Sequence, residues 1–332
     1  MPEPEGNERP KRIIVALLSL MGSALVFGGG YECFESWRHD RWRADYQENG
    51  NWYGMMTVPS DNETMMWEYR PNCRFEKLHT NGFGFRDEDF QTTTKPEGTY
   101  RLAFIGDSVT LGLRVEYEEI FVRRFDAWLH REPLAMEAEA LNFGVDGYNT
   151  LQVEALLGER VLDFQPDKVV YVMCLNDFDF TDASGDKIKY FRKPDGFLRP
   201  RLERVLKRKL LRQSYYQFHF DKHRDEVFAS ISAMKRRLDQ QGIDFQVVLL
   251  PVFPKRRPSF DDYPYTEMHE EIMAFFDHDR ISAIDLLSDF QASNRPPWDY
   301  SFDQWHPSPL GHDFIADRLR VIVDGNAAAT RP

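Results

Sequence analysis

What most constrains this chain is a repeated alternation. Five short apolar runs stand out: RLAFIG (101–106), EALNFG (139–144), DKVVYVMC (167–174), DFQVVLLPV (244–252) and ISAIDL (281–286). Between and after them lie segments with helical spacing, over 116–131, near 150–163, over 225–241 with Gly242 as a stop, over 264–278 and over 309–324. Strands that are apolar along their whole length, instead of at alternate positions, are covered on both faces. The pattern therefore predicts a five-stranded parallel sheet with helices on each side.

Two stretches break the rhythm. Residues 178–224 read as an insertion between the third strand and its helix. Within it, 187–212 carries eleven Lys/Arg against Asp195 and Glu203, a local charge of +9 in a chain of −12 overall. The overall charge argues against nucleic acid as a partner. The basic stretch reads as a solvated helix face, or as a surface for anionic lipid or an acidic polymer. Residues 32–98 read as an irregular but ordered linker or cap, with Met55, Met56, Met65 and Met66 as filler. In its turn-rich NGFGFRDEDF (81–90), positive φ is expected at Gly82 and Gly84.

At the N-terminus, residues 13–31 form a run of 19 without a formal charge, preceded by Arg9, Lys11 and Arg12 and ended by Glu32. That length just crosses a hydrocarbon core of ~30 Å, and the basic flank should stay inside. The expectation is an uncleaved transmembrane signal anchor. Residues 1–12 would be cytoplasmic, and the catalytic part exported to a periplasmic or other extracytoplasmic space. The alternative is a cleaved signal peptide with Gly28 and Gly30 before the cut, although no A-x-A site is present. Cys33, Cys73 and Cys174 lack metal-binding spacing. Cys33 and Cys73 can pair in an oxidising compartment, or all three thiols stay reduced.

Open α/β sheets collect their sites where strands end, and polar residues fall at those ends here. The first strand runs into Gly106-Asp107-Ser108, the second into Asn142-Phe143-Gly144-Val145-Asp146-Gly147, and the third into Asn176-Asp177. Beyond the fifth comes Asp303-Gln304-Trp305-His306. A serine hydroxyl needs a base, and His306 can be one. Asp303 can fix the imidazole's tautomer and stabilise its charged form. An oxyanion needs preorganised donors, which the Ser108 N–H, the Gly147 N–H and the Asn176 amide can supply. Each segment alone is an ordinary turn, cap or loop; their order along the sheet is what carries the reading.

These segments resemble the SGNH (GDSL-type) hydrolase family over roughly residues 100–325. FIGDSVTLG (104–112) resembles its first block, LNFGVDGYNT (141–150) its second, CLND (174–177) its third and DQWHPSPLGH (303–312) its fifth. The resemblance implies a flavodoxin-like three-layer α/β/α sandwich over 99–326. It also implies a Ser108–His306–Asp303 triad and an oxyanion hole of Ser108, Gly147 and Asn176. Cys174 departs from the pattern, because the family usually has glycine there. The implied activity is a serine esterase acting on an acyl or acetyl ester of a lipid or glycan, with neither cofactor nor metal. Alternatives are a polysaccharide O-acetyltransferase using the same triad, or a non-catalytic binding protein on the same fold. A metallohydrolase is disfavoured, since ligand clusters are not visible. Asp107 and Asp177 read as capping or orienting groups and His312 as helix-start packing. Arg86 reads as an ion-pair partner or pocket rim, and Trp305 as pocket wall or core.

Overall fold

The computed structural model describes residues 18–19, 22–23, 26–38, 40–41, 56–90, 92–132, 136–180, 198–207, 212, 214–255 and 257–322. The chain divides into two compact units, residues 1–50 with 186–214, and residues 51–185 with 215–332.

In the first unit, residues 26–38 and Leu198–Val205 are helical, and Glu32 Oε1 accepts the Leu198 N–H at 2.6 Å. No helix among the described residues is long and apolar enough to cross a membrane. The spanning helix expected over 13–31 is therefore not supported there. Residues 13–17, 20–21 and 24–25 of it lie outside the described residues, and the described helix runs on through Glu32, Glu35 and Arg38, which suit water better than hydrocarbon. Most of the basic stretch 187–212 also lies outside them. All three cysteines are free thiols, so the Cys33–Cys73 pairing is not seen.

The second unit opens with two small hairpins where irregular chain was expected. β1 (Thr57–Pro59) pairs antiparallel with β2 (Trp67–Tyr69), and β3 (Arg74–Phe75) with β4 (Leu78–His79). Met56 and Met65 fill the space beneath them, fully buried. Gly84 has φ 83°, as expected, but Gly82 does not adopt positive φ. Asn81 explains this: its Oδ1 accepts the N–H of both Phe83 and Phe85 at 3.0 Å, so the side chain makes the first bend and only Gly84 has to reverse the chain.

The main sheet contains β5 (Thr99–Gly106), β6 (Glu137–Gly144), β7 (Lys168–Cys174), β8 (Asp244–Leu250) and β9 (Ser282–Asp285), all parallel, in the order β6-β5-β7-β8-β9. β7 is buried along its whole length, which accounts for its continuous apolar sequence. The flanking helices are α1 (Ser108–Leu111), α2 (Phe121–Leu129), α3 (Thr150–Leu156), α4 (Tyr215–Gln240), α5 (Thr266–His278), α6 (Leu287–Ala292) and α7 (Pro309–Leu319). α4 begins ten residues before the expected 225, and α6 was not foreseen. Because β5 lies between β6 and β7, the chain winds first to one side and then to the other. The resulting switch point lies at the carboxyl ends of β5 and its neighbours, where ligands gather in such sheets.

β6 forms an open edge, and its outward N–H groups are capped by side chains. Ala140 donates to Asp126 Oδ1 at 2.9 Å, Asn142 to Asp87 Oδ2 at 2.7 Å and Gly144 to Asn142 Oδ1 at 2.9 Å. Those donors are thereby unavailable to a further strand. Burial pushes the Asp87 carboxyl up to about 7, against the lowering effect of hydrogen bonds from the Asn142 and Glu88 N–H groups and the Tyr117 hydroxyl.

Candidate active site

Ser108 follows β5 after one intervening residue, Asp107, and is the first residue of α1, so its N–H has no intrahelical acceptor. Asp107 is the N-cap: its Oδ1 accepts the Val109 N–H at 2.9 Å, which fixes the turn that presents the serine. α1 lies close on β6 because residue 144 is glycine; a Cβ there would stand 2.2 Å from the Leu111 nitrogen. Beyond α1 the chain is held by Arg86, which is 1% exposed. Its guanidinium donates to the carbonyls of Lys77, Leu111, Gly112 and Val115. The ion pair considered for Arg86 is thus replaced by a set of backbone carbonyls, and burial lowers its pKa to about 10.

The segment from Ser301 to Pro307 is a closed loop. Those two residues bridge, and the Phe302 N–H donates to the His306 carbonyl at 2.9 Å. Asp303 Oδ1 accepts the N–H of Trp305 and of His306, each at 2.9 Å. The other oxygen, Oδ2, meets His306 Nδ1 at 2.8 Å. Burial alone would raise this carboxyl, but the hydrogen bonds from the His306 ring and from the His306 and Trp305 N–H groups outweigh it and hold the pKa well below the usual range. An ionised carboxylate only accepts, so the proton sits on Nδ1 and Nε2 is left as the acceptor. His306 Nε2 is 3.1 Å from Ser108 Oγ. The alternative acceptor for that hydroxyl, Asp107 Oδ2, is farther away at 3.4 Å. The structure thus brings together Ser108, His306 and Asp303, 195 or more residues apart in sequence for the serine and the other two.

Gly147 follows β6 with φ 76°, in a turn closed by the Tyr148 N–H donating to the Val145 carbonyl at 3.2 Å. A positive φ only at its third position makes this a type II turn, which asks for glycine. The cap holds the turn in place: Tyr148 is buried edge-to-face against Trp67 at 5.2 Å and donates to the Trp67 carbonyl, and Gln152 Nε2 donates to the Met65 carbonyl at 3.2 Å. Asn176 follows β7, 8% exposed, and its Nδ2 donates to Asp107 Oδ2 at 2.6 Å. Asp177 accepts the Tyr171 hydroxyl at 2.8 Å and the Cys174 N–H at 3.2 Å. As expected, Asp107 and Asp177 orient the loops, and burial raises both carboxyl pKa values. His312 also behaves as expected: it is fully buried in α7, accepts the Phe121 N–H at 3.2 Å through Nδ1, and burial lowers its pKa to about 3. Trp305 stands half-buried beside His306, ring centroids 6.3 Å apart.

Asp107, Cys174 and Asp177 are the one group among the described residues whose ligand atoms lie close enough for a metal ion. Both Asp107 oxygens and Oδ2 of Asp177 already accept hydrogen bonds from Val109, Asn176, Tyr171 and the Cys174 backbone, which ties the group into a structural network. Arg114 escaped the sequence reading. It lies two residues past Gly112, with φ 78°, and its guanidinium is 2.9 Å from Asp303 Oδ2. A charged side chain in a loop gives no signal of such a contact.

A parallel α/β sheet with this site at its switch point fits a carboxylic ester hydrolase. The comparison with known families makes the assignment: residues 104–314 match the model of the GDSL-like lipase/acylhydrolase family, and the chain belongs to that family. Similar solved structures include an acetyl xylan esterase, at 18% identity over 67% of this chain and 99% of that one with a TM-score of 0.47. A catalytic mutant of an acetylxylan esterase from Geobacillus stearothermophilus is 16% identical over 67% and 94%, TM-score 0.47. An α/β hydrolase enzyme from the metagenome of Lake Arreo, Spain, is 17% identical over 67% and 94%, TM-score 0.47. Among curated proteins, none matches.

Proposed function

We propose that the chain hydrolyses an acyl or acetyl ester of a lipid or glycan with Ser108 as nucleophile, His306 as general base and acid, and Asp303 as the group that orients and stabilises the imidazole. The observation that carries this reading is the unbroken series from Asp303 Oδ2 to His306 Nδ1 at 2.8 Å and from His306 Nε2 to Ser108 Oγ at 3.1 Å. Ser108 Oγ attacks the ester carbonyl while His306 Nε2 takes its proton. The oxyanion that forms is met by the Ser108 and Gly147 N–H groups and by Asn176 Nδ2. The intermediate collapses, the protonated imidazole gives its proton to the leaving alcohol, and the acyl group stays on Ser108. Water then attacks with His306 again as base, releasing the acid and restoring the serine. Ser108→Ala should reduce hydrolysis of p-nitrophenyl acetate by at least ~10⁴-fold with the fold retained; a variant keeping most of its activity would refute the assignment.

We also propose that residues 13–31 hold the protein at a membrane with the catalytic residues on the exported side. The uncharged run behind Arg9, Lys11 and Arg12 supports this. Full-length protein should stay with membranes through an alkaline carbonate wash and be digested by protease added to spheroplasts. Release into the wash, or protection from the protease, would contradict it.

A further inference from the structure

The third motif of this chain differs from the usual family pattern in one residue, Cys174, and that residue touches the oxyanion asparagine. We propose that the Cys174 thiol is a positioning residue: its S–H holds Oδ1 of Asn176, so that Nδ2 gives one N–H to Asp107 and keeps the other for the oxyanion. The inference rests on the proposed role of Asn176.

A side-chain amide has two nearly equivalent orientations, exchanged by a half-turn about its last bond. Only one of them serves catalysis, the one with Nδ2 as the donor. Two contacts select it. Asp107 Oδ2 accepts from Nδ2 at 2.6 Å. At the other end of the amide, Cys174 Sγ lies against Oδ1. Among the described residues no other donor reaches Oδ1, and the next acceptors near the sulfur, Asp107 Oδ2 and Asp177 Oδ1, are both 4.0 Å away. An amide oxygen only accepts, so the sulfur must be the donor and must carry its proton. Its surroundings ensure this: burial first, then the neighbouring Asp107 and Asp177, push the thiol pKa well above its ordinary value. The sulfur is itself held in place. The Cys174 N–H donates to Asp177 Oδ2 at 3.2 Å, that oxygen also accepts the Tyr171 hydroxyl at 2.8 Å, and Tyr171 meets Thr150 Oγ1 at 3.0 Å. With glycine at 174, one end of the amide would lose its partner, and Asp107 alone would hold the orientation.

The test is a double-mutant cycle on the full chain with p-nitrophenyl acetate. Asn176→Ala should lower kcat by about 10²–10³-fold, the scale of one lost oxyanion donor. Cys174→Ala should lower kcat by a smaller factor, about tenfold, with KM within about twofold, and should cost nothing further in the Asn176→Ala background. Cys174→Ser keeps a donor and should recover most of the loss, whereas Cys174→Gly should not. The inference is overturned if Cys174→Ala leaves kcat unchanged, or lowers it by the same factor with and without Asn176. A readout independent of activity uses the S–H stretching band that disappears in Cys174→Ala. In Asn176→Ala that band should move to higher frequency as the hydrogen bond is lost. An unmoved band overturns the inference even if the wild-type protein hydrolyses no ester, whereas a moved band in an inactive protein faults the esterase reading alone.

Discussion

The 301–307 loop and the open edge of the sheet both rest on an aspartate that accepts backbone N–H groups, yet the two carboxyl pKa values shift in opposite directions. Asp303 accepts two N–H groups through one oxygen and an imidazole through the other, and is held ionised. Asp87 caps Asn142 at the edge of β6 and accepts the Tyr117 hydroxyl, but it is more deeply buried and its pKa rises to about 7. Burial works to raise both. What separates them is depth of burial and the partners that oppose it: Asp303 is less buried and has the His306 ring, two N–H groups and the Arg114 guanidinium, while Asp87 is fully buried with only neutral donors. The same side chain is an anion against an imidazole in one place and a protonatable cap on a strand edge in the other.

The largest effect is expected at Asp303. Asp303→Asn keeps the shape but lets the imidazole take the wrong tautomer, and kcat should fall by about 10⁴-fold with little change in melting temperature. A loss under about tenfold would mean that Asp303 does not orient His306. Next is the pH dependence of stability at Asp87. A carboxyl whose folded-state pKa exceeds its unfolded value of 3.8 stabilises the fold fully below about pH 4, and that contribution is lost as pH rises towards 7. The difference in unfolding free energy between wild type and Asp87→Asn should therefore change by something on the order of 4 kcal/mol between pH 4 and pH 8, with wild type losing stability as pH rises. Equal pH profiles in urea titrations would contradict this. Asp87→Ala leaves the Asn142 N–H and the Tyr117 hydroxyl without their acceptor and should cost about 2–3 kcal/mol at pH 6, while kcat of the folded fraction stays the same. The smallest effect is expected at Arg114. Its side chain is 53% exposed, so the ion pair with Asp303 is screened by solvent. Arg114→Gln should change kcat/KM by less than about fivefold, and the change should shrink in high salt.

The sheet was legible because strands buried on both faces carry near-continuous apolar runs, as Leu102–Ile105 of β5, Val169–Cys174 of β7 and Val247–Leu250 of β8 do. The four polar segments were legible because a parallel sheet sends all its strand ends to one side. What stayed hidden depends on contacts that leave no periodic trace. The first turns of α4 carry Tyr216, His219 and His223 inward, beside exposed Asp221 and Lys222, which blurs the apolar stripe. Asn81 replaces the expected glycine bend with a side-chain hydrogen bond. Arg86 is spent on four carbonyls that no charge pattern announces. The caps on β6 come from Asp87 and Asp126, both distant in sequence from the strand residues they satisfy.

Activation of Ser108 by His306 can be read covalently. A fluorophosphonate should leave its phosphonyl group on Ser108, located by mass spectrometry of the digested protein, with labelling reduced by orders of magnitude in His306→Ala. An unlabelled Ser108 in a preparation that hydrolyses esters, or labelling that is unaffected by His306→Ala, would contradict the account.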